Sequence, residues 1–184
     1  MLRNEVDRTK LSPVMLQWMK IKDENPDAII FFRLGDFYEM FFDDAIVASK
    51  ILELTLTGKQ AGLDEKVPMC GIPFKAYEAY LDKLVEMGYK VAIVEQVEDP
   101  KLTKEMVKRE VIQIVTSGTR LDGSIDDTKN NFLASVTYTA NSYALSYADI
   151  STGEVYVTIL DDSLQELLQE IIRHGFEEII VSDE

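Results

Sequence analysis

The chain has 184 residues, 46% of them hydrophobic, and a net charge of −14. That is enough for one sizeable core or two small ones, and no run reaches the ~18 apolar residues that a membrane-spanning helix needs. Acidity on this scale argues against a domain that grips nucleic acid by its overall field, because phosphate binding rests on Lys and Arg neutralising backbone charge.

The charge is uneven. Residues 1–127 carry 17 Lys+Arg against 23 Asp+Glu, a balance of −6, and residues 128–184 carry 2 against 10, a balance of −8. A DNA contact is therefore expected in the first part, and the second reads as a protein-facing module. Cys70 is the only cysteine, which excludes an intrachain disulfide and a thiolate metal cage. The mixed-charge N-terminus has no secretory pattern, so a cytoplasmic location is expected.

In chain order, Ser12-Pro13 predicts a helix start, with Ser12 as the capping residue, Met15, Leu16 and Met19 on one face and Asn25-Pro26 at its end. Residues 28–34 read as a buried strand that ends at Gly35 and delivers Phe37, Tyr38 and Glu39. Asp43 and Asp44 mark a helix N-terminus, where carboxylates complement the dipole, and Phe42, Ala45, Ile46, Ser49 and Leu52 supply its inner stripe. A short strand at 54–57, a polar loop at 58–66 and a rigid, irregular segment at 67–73 follow. Tyr77, Tyr80, Leu81 and Leu84 predict a helix, and residues 90–97 and 111–116 predict strands. The alternation implies an α/β domain over residues 1–120, with its ordered core from about residue 10.

Residues 121–130 are almost without apolar side chains and read as a linker. Beyond it, residues 132–139, 143–150 and 154–160 predict a three-stranded antiparallel meander. Leu164, Leu167, Leu168, Ile171 and Ile172 form a helical stripe capped by Gly175, and residues 178–181 begin another strand. A meander with one helix and one strand is a partial sheet, so a fragment of a longer protein is expected over 131–184.

Catalytic equipment is sparse. Gly118 to Ser124 has the outline of a phosphate loop, but no Lys follows Gly123, and it reads as a turn. His174 lies at a helix C-terminus, where it complements the dipole, and Cys70 reads as a small buried filler. The pairs Asp43/Asp44, Asp126/Asp127 and Asp161/Asp162 read as caps or solvated acids. Asp149, with Glu154 after the next turn, is the one carboxylate that suits a metal-dependent nuclease, but the first meander strand carries no acid to join it. No catalytic residue and no metal site are expected.

Six aromatic residues lie between Phe31 and Phe42. Phe31, Phe32, Phe41 and Phe42 read as core. Phe37 and Glu39 are two apart, so on an extended backbone a ring and a carboxylate leave one face, with Tyr38 on the other. A carboxylate beside a ring is costly to bury unless it is paired.

Gly35-Asp36-Phe37-Tyr38-Glu39-Met40-Phe41 resembles the G-D-F-Y-E-x-F signature of the MutS DNA mismatch-repair family. Pro68-Met69-Cys70-Gly71-Ile72-Pro73 resembles P-M-x-G-I-P, and Val91-Ala92-Ile93-Val94-Glu95-Gln96 resembles V-A-[IV]-x-[ED]-Q. Val107-Lys108-Arg109-Glu110-Val111 and Thr116-Ser117-Gly118-Thr119 continue the match in order. The resemblance covers essentially the whole chain. It implies a mixed-sheet mismatch-binding domain followed by the beginning of an RNase H-like connector domain, with the lever, clamp and ATPase domains lacking a counterpart.

By that resemblance Phe37 is a wedge that enters the minor groove and stacks on a mispaired base, and Glu39 hydrogen-bonds the displaced base. Facing a purine N7, the Glu39 carboxyl would have to carry a proton, a form that a desolvated site beside DNA favours. Lys59 and Lys75 are implied backbone contacts, although Leu56-Thr57-Gly58-Lys59-Gln60 has one basic residue where relatives often have two. Tyr38, Pro68 and Met69 are implied loop supports. No cofactor is implied in this segment, since ATP and Mg belong to the absent ATPase domain. The implied partners are mismatched duplex DNA and a MutL-type protein at the connector, with dimerisation through absent domains. Two rival readings are an acidic protein-interaction module and an RNase H-like nuclease using Asp149.

Overall fold

The structure, a computed structural model, describes residues 2–98, 107–120 and 131–181. The linker expected at 121–130, with Asp126/Asp127, lies outside the described residues. The chain divides into two compact units, Met1–Val115 and Thr116–Glu184. The fold class is α/β with two mixed sheets. No helix among the described residues is long and apolar enough to cross a membrane.

The first unit runs α1 (Pro13–Glu24), β1 (Ala28–Leu34), β2 (Phe37–Phe41), α2 (Phe42–Ile51), β3 (Thr57–Lys59), β4 (Val67–Pro73), α3 (Tyr77–Glu86), β5 (Lys90–Gln96) and β6 (Arg109–Val115). Its six-stranded sheet has the order β3-β4-β2-β1-β5-β6. Among its described neighbouring strands only β1 and β5 pair in parallel.

Period-2 alternation sends the sheet's side chains to two cores. Ile30, Phe32, Phe41 and Val94 join Met15 and Trp18 of α1 on one side. Ile29, Phe31, Tyr38, Met40 and Ile72 pack with Ala45 of α2 and Leu84 of α3 on the other. Phe31, Phe32, Phe41 and Phe42 are fully buried.

Four expectations need correction here. Leu16 is exposed, and α1 buries Ile21 together with an inner stripe of Met15, Trp18, Met19 and Lys22. The stripe follows i, i+3, i+4, i+7, and Leu16 lies off it. Ser12 occupies the N-cap position, but its side chain makes no capping bond; its N–H donates instead to the Ala61 carbonyl at 2.7 Å. The strand expected at 54–57 is displaced to Thr57–Lys59, because pairing with Val67–Met69 selects those residues. Residues 67–73 form a regular strand rather than an irregular segment. Pro68 lies outside the span that pairs with β2 and Pro73 ends the strand, so the missing N–H groups fall where the ladder is incomplete.

The second unit contains β7 (Phe132–Thr139), β8 (Ser142–Asp149), β9 (Glu154–Asp161), α4 (Leu164–His174) and β10 (Glu178–Val181). Its strand order is β10-β7-β8-β9, an antiparallel meander with β10 added parallel to β7. Ser163 caps α4 by accepting the Glu166 N–H at 3.3 Å. Gly175 ends it at φ 62°, a left-handed conformation that glycine adopts without a Cβ penalty. Leu167 is buried with Ala134, Leu145 and Leu160, and Ile171 packs beside them. Leu164, Leu168 and Ile172 are exposed, so the five-residue stripe is too wide for its sheet contact and one ridge is left outside.

Candidate nucleic-acid interface

The hairpin between β1 and β2 builds the site. Leu34 pairs with Phe37 across it, and Gly35 turns the chain at φ 59°, where a residue with a Cβ is strained. Two hydrogen bonds pin the turn: Arg33 Nε donates to the Gly35 carbonyl at 2.5 Å, and Phe74 N–H donates to the Asp36 carbonyl at 3.0 Å. Phe37 therefore leaves a fixed backbone at the first residue of β2, opposite Pro73 of β4.

Phe37 is 47% exposed, whereas Tyr38, Met40 and Phe41 are buried. It stands between two depressions. One, of about 270 Å³, is lined by Asp36, Phe37, Pro73, Phe74 and Lys75. The other, of about 470 Å³, is lined in part by Phe37, Glu39, Thr57, Met69 and Gly71. Gly71 sits opposite Glu39, and a Cβ there would lie 3.5 Å from Glu39 Cγ.

The carboxylate of Glu39 is paired. Its Oε2 accepts a hydrogen bond from the Lys59 ammonium across the sheet, with side chains 15% and 33% exposed respectively. Lys59 Nζ also lies 5.7 Å from the Phe41 ring. Lys75 is exposed on the short turn after β4, 6.0 Å from the Phe74 ring. Met69 lies between Phe41 and Thr57 and lines the larger depression, and Pro68 faces Gly58.

Tyr38 points the other way. Its ring packs between Phe31 at 5.9 Å and Tyr77 at 5.3 Å, and its hydroxyl donates to Glu95. Burial, reinforced by that hydrogen bond to Glu95, pushes the phenol's pKa upward. Glu95 in turn meets Arg33 Nη1 at 3.2 Å. Arg33 and Phe74 were not singled out from sequence. Their one visible signal was position, Arg33 two residues before the turn glycine and Phe74 directly after the Pro68–Pro73 motif.

Elsewhere the expected non-catalytic residues have definite partners. Cys70 is buried, 3.6 Å from the Ala45 carbonyl, and burial pushes its thiol up to about 12, which disfavours a thiolate nucleophile. His174 ends α4 with Nε2 3.4 Å from Glu170, and its ring stacks on Phe176 at 5.5 Å. Asp149 Oδ1 accepts from Ser151 Oγ at 2.5 Å and Ser151 N–H at 2.9 Å, and Oδ2 accepts from Asn131 N–H at 3.2 Å. Its two oxygens thus organise a turn. Asp162 accepts from the Tyr138 hydroxyl at 3.1 Å while Ser163 caps the helix.

One acid departs from expectation. Asp44, read as a cap or solvated acid, is buried and pairs with Lys22 Nζ at 2.8 Å while accepting the Ile30 N–H at 3.0 Å. It lies in the first turn of α2, but that turn packs against β1, and burial makes an ionic partner necessary.

Two mixed-sheet α/β units, the first offering a ring and a paired carboxylate beside a pinned hairpin, define the class. The model described as MutS domain I matches residues 12–124 and that described as MutS domain II matches residues 131–184, so the chain belongs to the MutS family. It is 52% identical over 174 residues to the DNA mismatch repair protein MutS of Caldicellulosiruptor bescii, covering 95% of this chain and 20% of that protein. It is 51% identical over 180 residues to the protein of the same name from Clostridioides difficile, covering 97% and 19%. For Listeria welshimeri the values are 50% over 177 residues, covering 95% and 21%. The chain thus spans about a fifth of the length of these curated relatives.

Proposed function

We propose that this chain recognises mismatched or unpaired bases in duplex DNA, with Phe37 as the wedge and Glu39 as the group that hydrogen-bonds the displaced base. The single observation that carries this reading is the half-exposed Phe37 on a pinned hairpin, two residues from a carboxylate on the same face of β2. The names of the relatives, DNA mismatch repair proteins, support it.

The energetics suit a wedge. Stacking a base on an aromatic ring is worth roughly 1–3 kcal/mol, and unstacking a base step costs a few kcal/mol. The balance is near zero on paired DNA and turns favourable where a mispair has already weakened the stack. Discrimination then follows deformability rather than a sequence code. A ring on a mobile loop would lose part of this small surplus to ordering, so the bonds that pin Gly35 and Asp36 matter to function.

Tyr38 holds the strand from the opposite face, Met69 walls the depression beside the wedge, and Pro68 stiffens the strand behind it. Lys75 contacts the DNA backbone. The recognition step uses no catalytic residue and no cofactor in this segment; ATP and Mg act in a domain outside it, and dimerisation runs through domains outside it. The acidic second unit, with its exposed Leu164, Leu168 and Ile172, docks a MutL-type partner.

Binding of G·T-mismatched and fully paired duplex at low salt tests the proposal. Phe37→Ala should abolish the preference for the mismatch; a preserved preference overturns the wedge. Glu39→Gln should keep or strengthen binding while eroding the preference, and equal loss on both duplexes counts against base reading by Glu39.

A further inference from the structure

We propose that Lys59 is the positioning residue of Glu39: its ammonium is the resting counter-ion of that carboxylate, on the free protein and on paired DNA alike, and it yields Glu39 only where a mispaired base takes its place. This rests on the reading of Glu39 as a base-contacting group, and it changes the role of Lys59 from a standing phosphate contact to a partner that is exchanged.

The geometry favours exchange. Glu39 lies on β2 and Lys59 on β3, with β4 between them, so the lysine spans the width of a strand to reach the carboxylate. Gly71 opposite Glu39 leaves that position of β4 without a side chain. The pair is neither sealed nor fully exposed: Glu39 is mostly covered and Lys59 is one-third exposed. A half-covered pair is screened less than a surface one, yet the ammonium can still reach solvent. A lysine head is a compact point charge on a flexible stem, and it can trade one oxygen ligand for another without the fixed fork geometry of arginine.

The charge balance favours it too. An ionised carboxylate on a surface that meets DNA repels phosphates from any duplex. Lys59 cancels that repulsion while Glu39 has no base to contact. At a mispair Glu39 turns to the displaced base, and the freed ammonium finds a phosphate. Because the free protein is common to both comparisons, the mismatch preference depends only on the two bound states. Lys59 then steadies the paired complex more than the mismatched one.

A double-mutant cycle read on fully paired duplex tests this in the full chain. Lys59→Met should weaken binding to paired DNA about 5–10-fold, and by less than about twofold when Glu39 is already Gln. The slope of log affinity against log salt should be lowered by Lys59→Met when Glu39 is present and unchanged by it when Glu39 is Gln, whereas loss of a standing phosphate contact lowers it by about one in both backgrounds. Lys59→Arg should restore most of the affinity, which a merely steric role would not require. Equal losses in both backgrounds, or a slope reduced by about one in both, overturn the proposal and leave Lys59 a phosphate contact. Thermal unfolding checks each variant, and Lys59→Gln carries the same comparison if Lys59→Met does not fold. No mispaired base is present in this cycle, so it can fail while Phe37→Ala still abolishes mismatch preference, and the reverse.

Discussion

The Arg33 guanidinium carbon lies 3.4 Å from the centre of the Phe74 ring. The same side chain reaches the Gly35 carbonyl at 2.5 Å and Glu95 at 3.2 Å, so one residue ties the end of β1, the hairpin turn, the segment after β4 and the end of β5. Arg33→Ala is expected to lower stability by about 1–3 kcal/mol in urea unfolding, from the lost stacking and the loss of the ionic partner of Glu95, which keeps, among the described residues, only the Tyr38 hydroxyl. It should also speed amide hydrogen exchange at the Asp36–Phe37 end of the hairpin. Arg33→Lys should recover only part of this, since an ammonium cannot lie flat on a ring and donate to two oxygens in fixed directions. Unchanged exchange at the hairpin would show that the turn holds itself.

Lys22 and Asp44 form the most deeply buried ion pair among the described residues, with side chains 9% and 6% exposed. Lys22 also donates to the Ala28 carbonyl at 2.6 Å, so both charges have further partners. Removing one charge, as in Lys22→Met or Asp44→Leu, should cost about 3–5 kcal/mol because the other is left buried and unpaired. The double variant should lose clearly less than the sum of the two, with the freed Ile30 N–H accounting for part of what remains. Denaturant unfolding of the four proteins measures the coupling, and strictly additive losses would refute it.

Asp149 carries an acid-sensitive part of the second unit's stability. The Ser151 hydroxyl, followed by the N–H groups of Ser151, Asn131 and Thr152, holds its carboxyl below the ordinary value of 3.8. The unfolded chain therefore binds that proton more readily than the folded one. The stabilisation is fully present above pH 3.8 and is lost as pH falls through the lower folded value. Asp149→Asn should be less stable at neutral pH and should lack this share of the acid slope. Unfolding followed between pH 7 and pH 2 checks both, and a variant with the wild-type acid slope would contradict the assignment.

Much of the fold was legible because local rules set it. Pro13 at the first helical position, the alternating strands of the meander and Gly175 after the α4 stripe each act within a few residues. The misreadings share one cause. Residues 67–73 looked irregular because two prolines weaken local strand propensity, yet β2 and β3 on either side supply the pairing that propensity lacks. Leu16 reads as interior because its apolar character is visible in the sequence and the neighbour it must touch is not; Trp18 fills that place. Asp44 reads as a cap because nothing near it in sequence announces Lys22.

The sequence by itself determined that Phe37 and Glu39 share a face and that Tyr38 opposes them, since side chains alternate along any extended strand. It also determined the order of elements and the family, whose motifs are written in consecutive residues. What only the tertiary structure decided was which charges meet. Glu39 finds Lys59 twenty positions away and Arg33 finds Glu95 sixty-two away. Those distances close only when the strands take the order β3-β4-β2-β1-β5-β6. Long-range pairing depends on the path of the whole chain, and no local propensity encodes it.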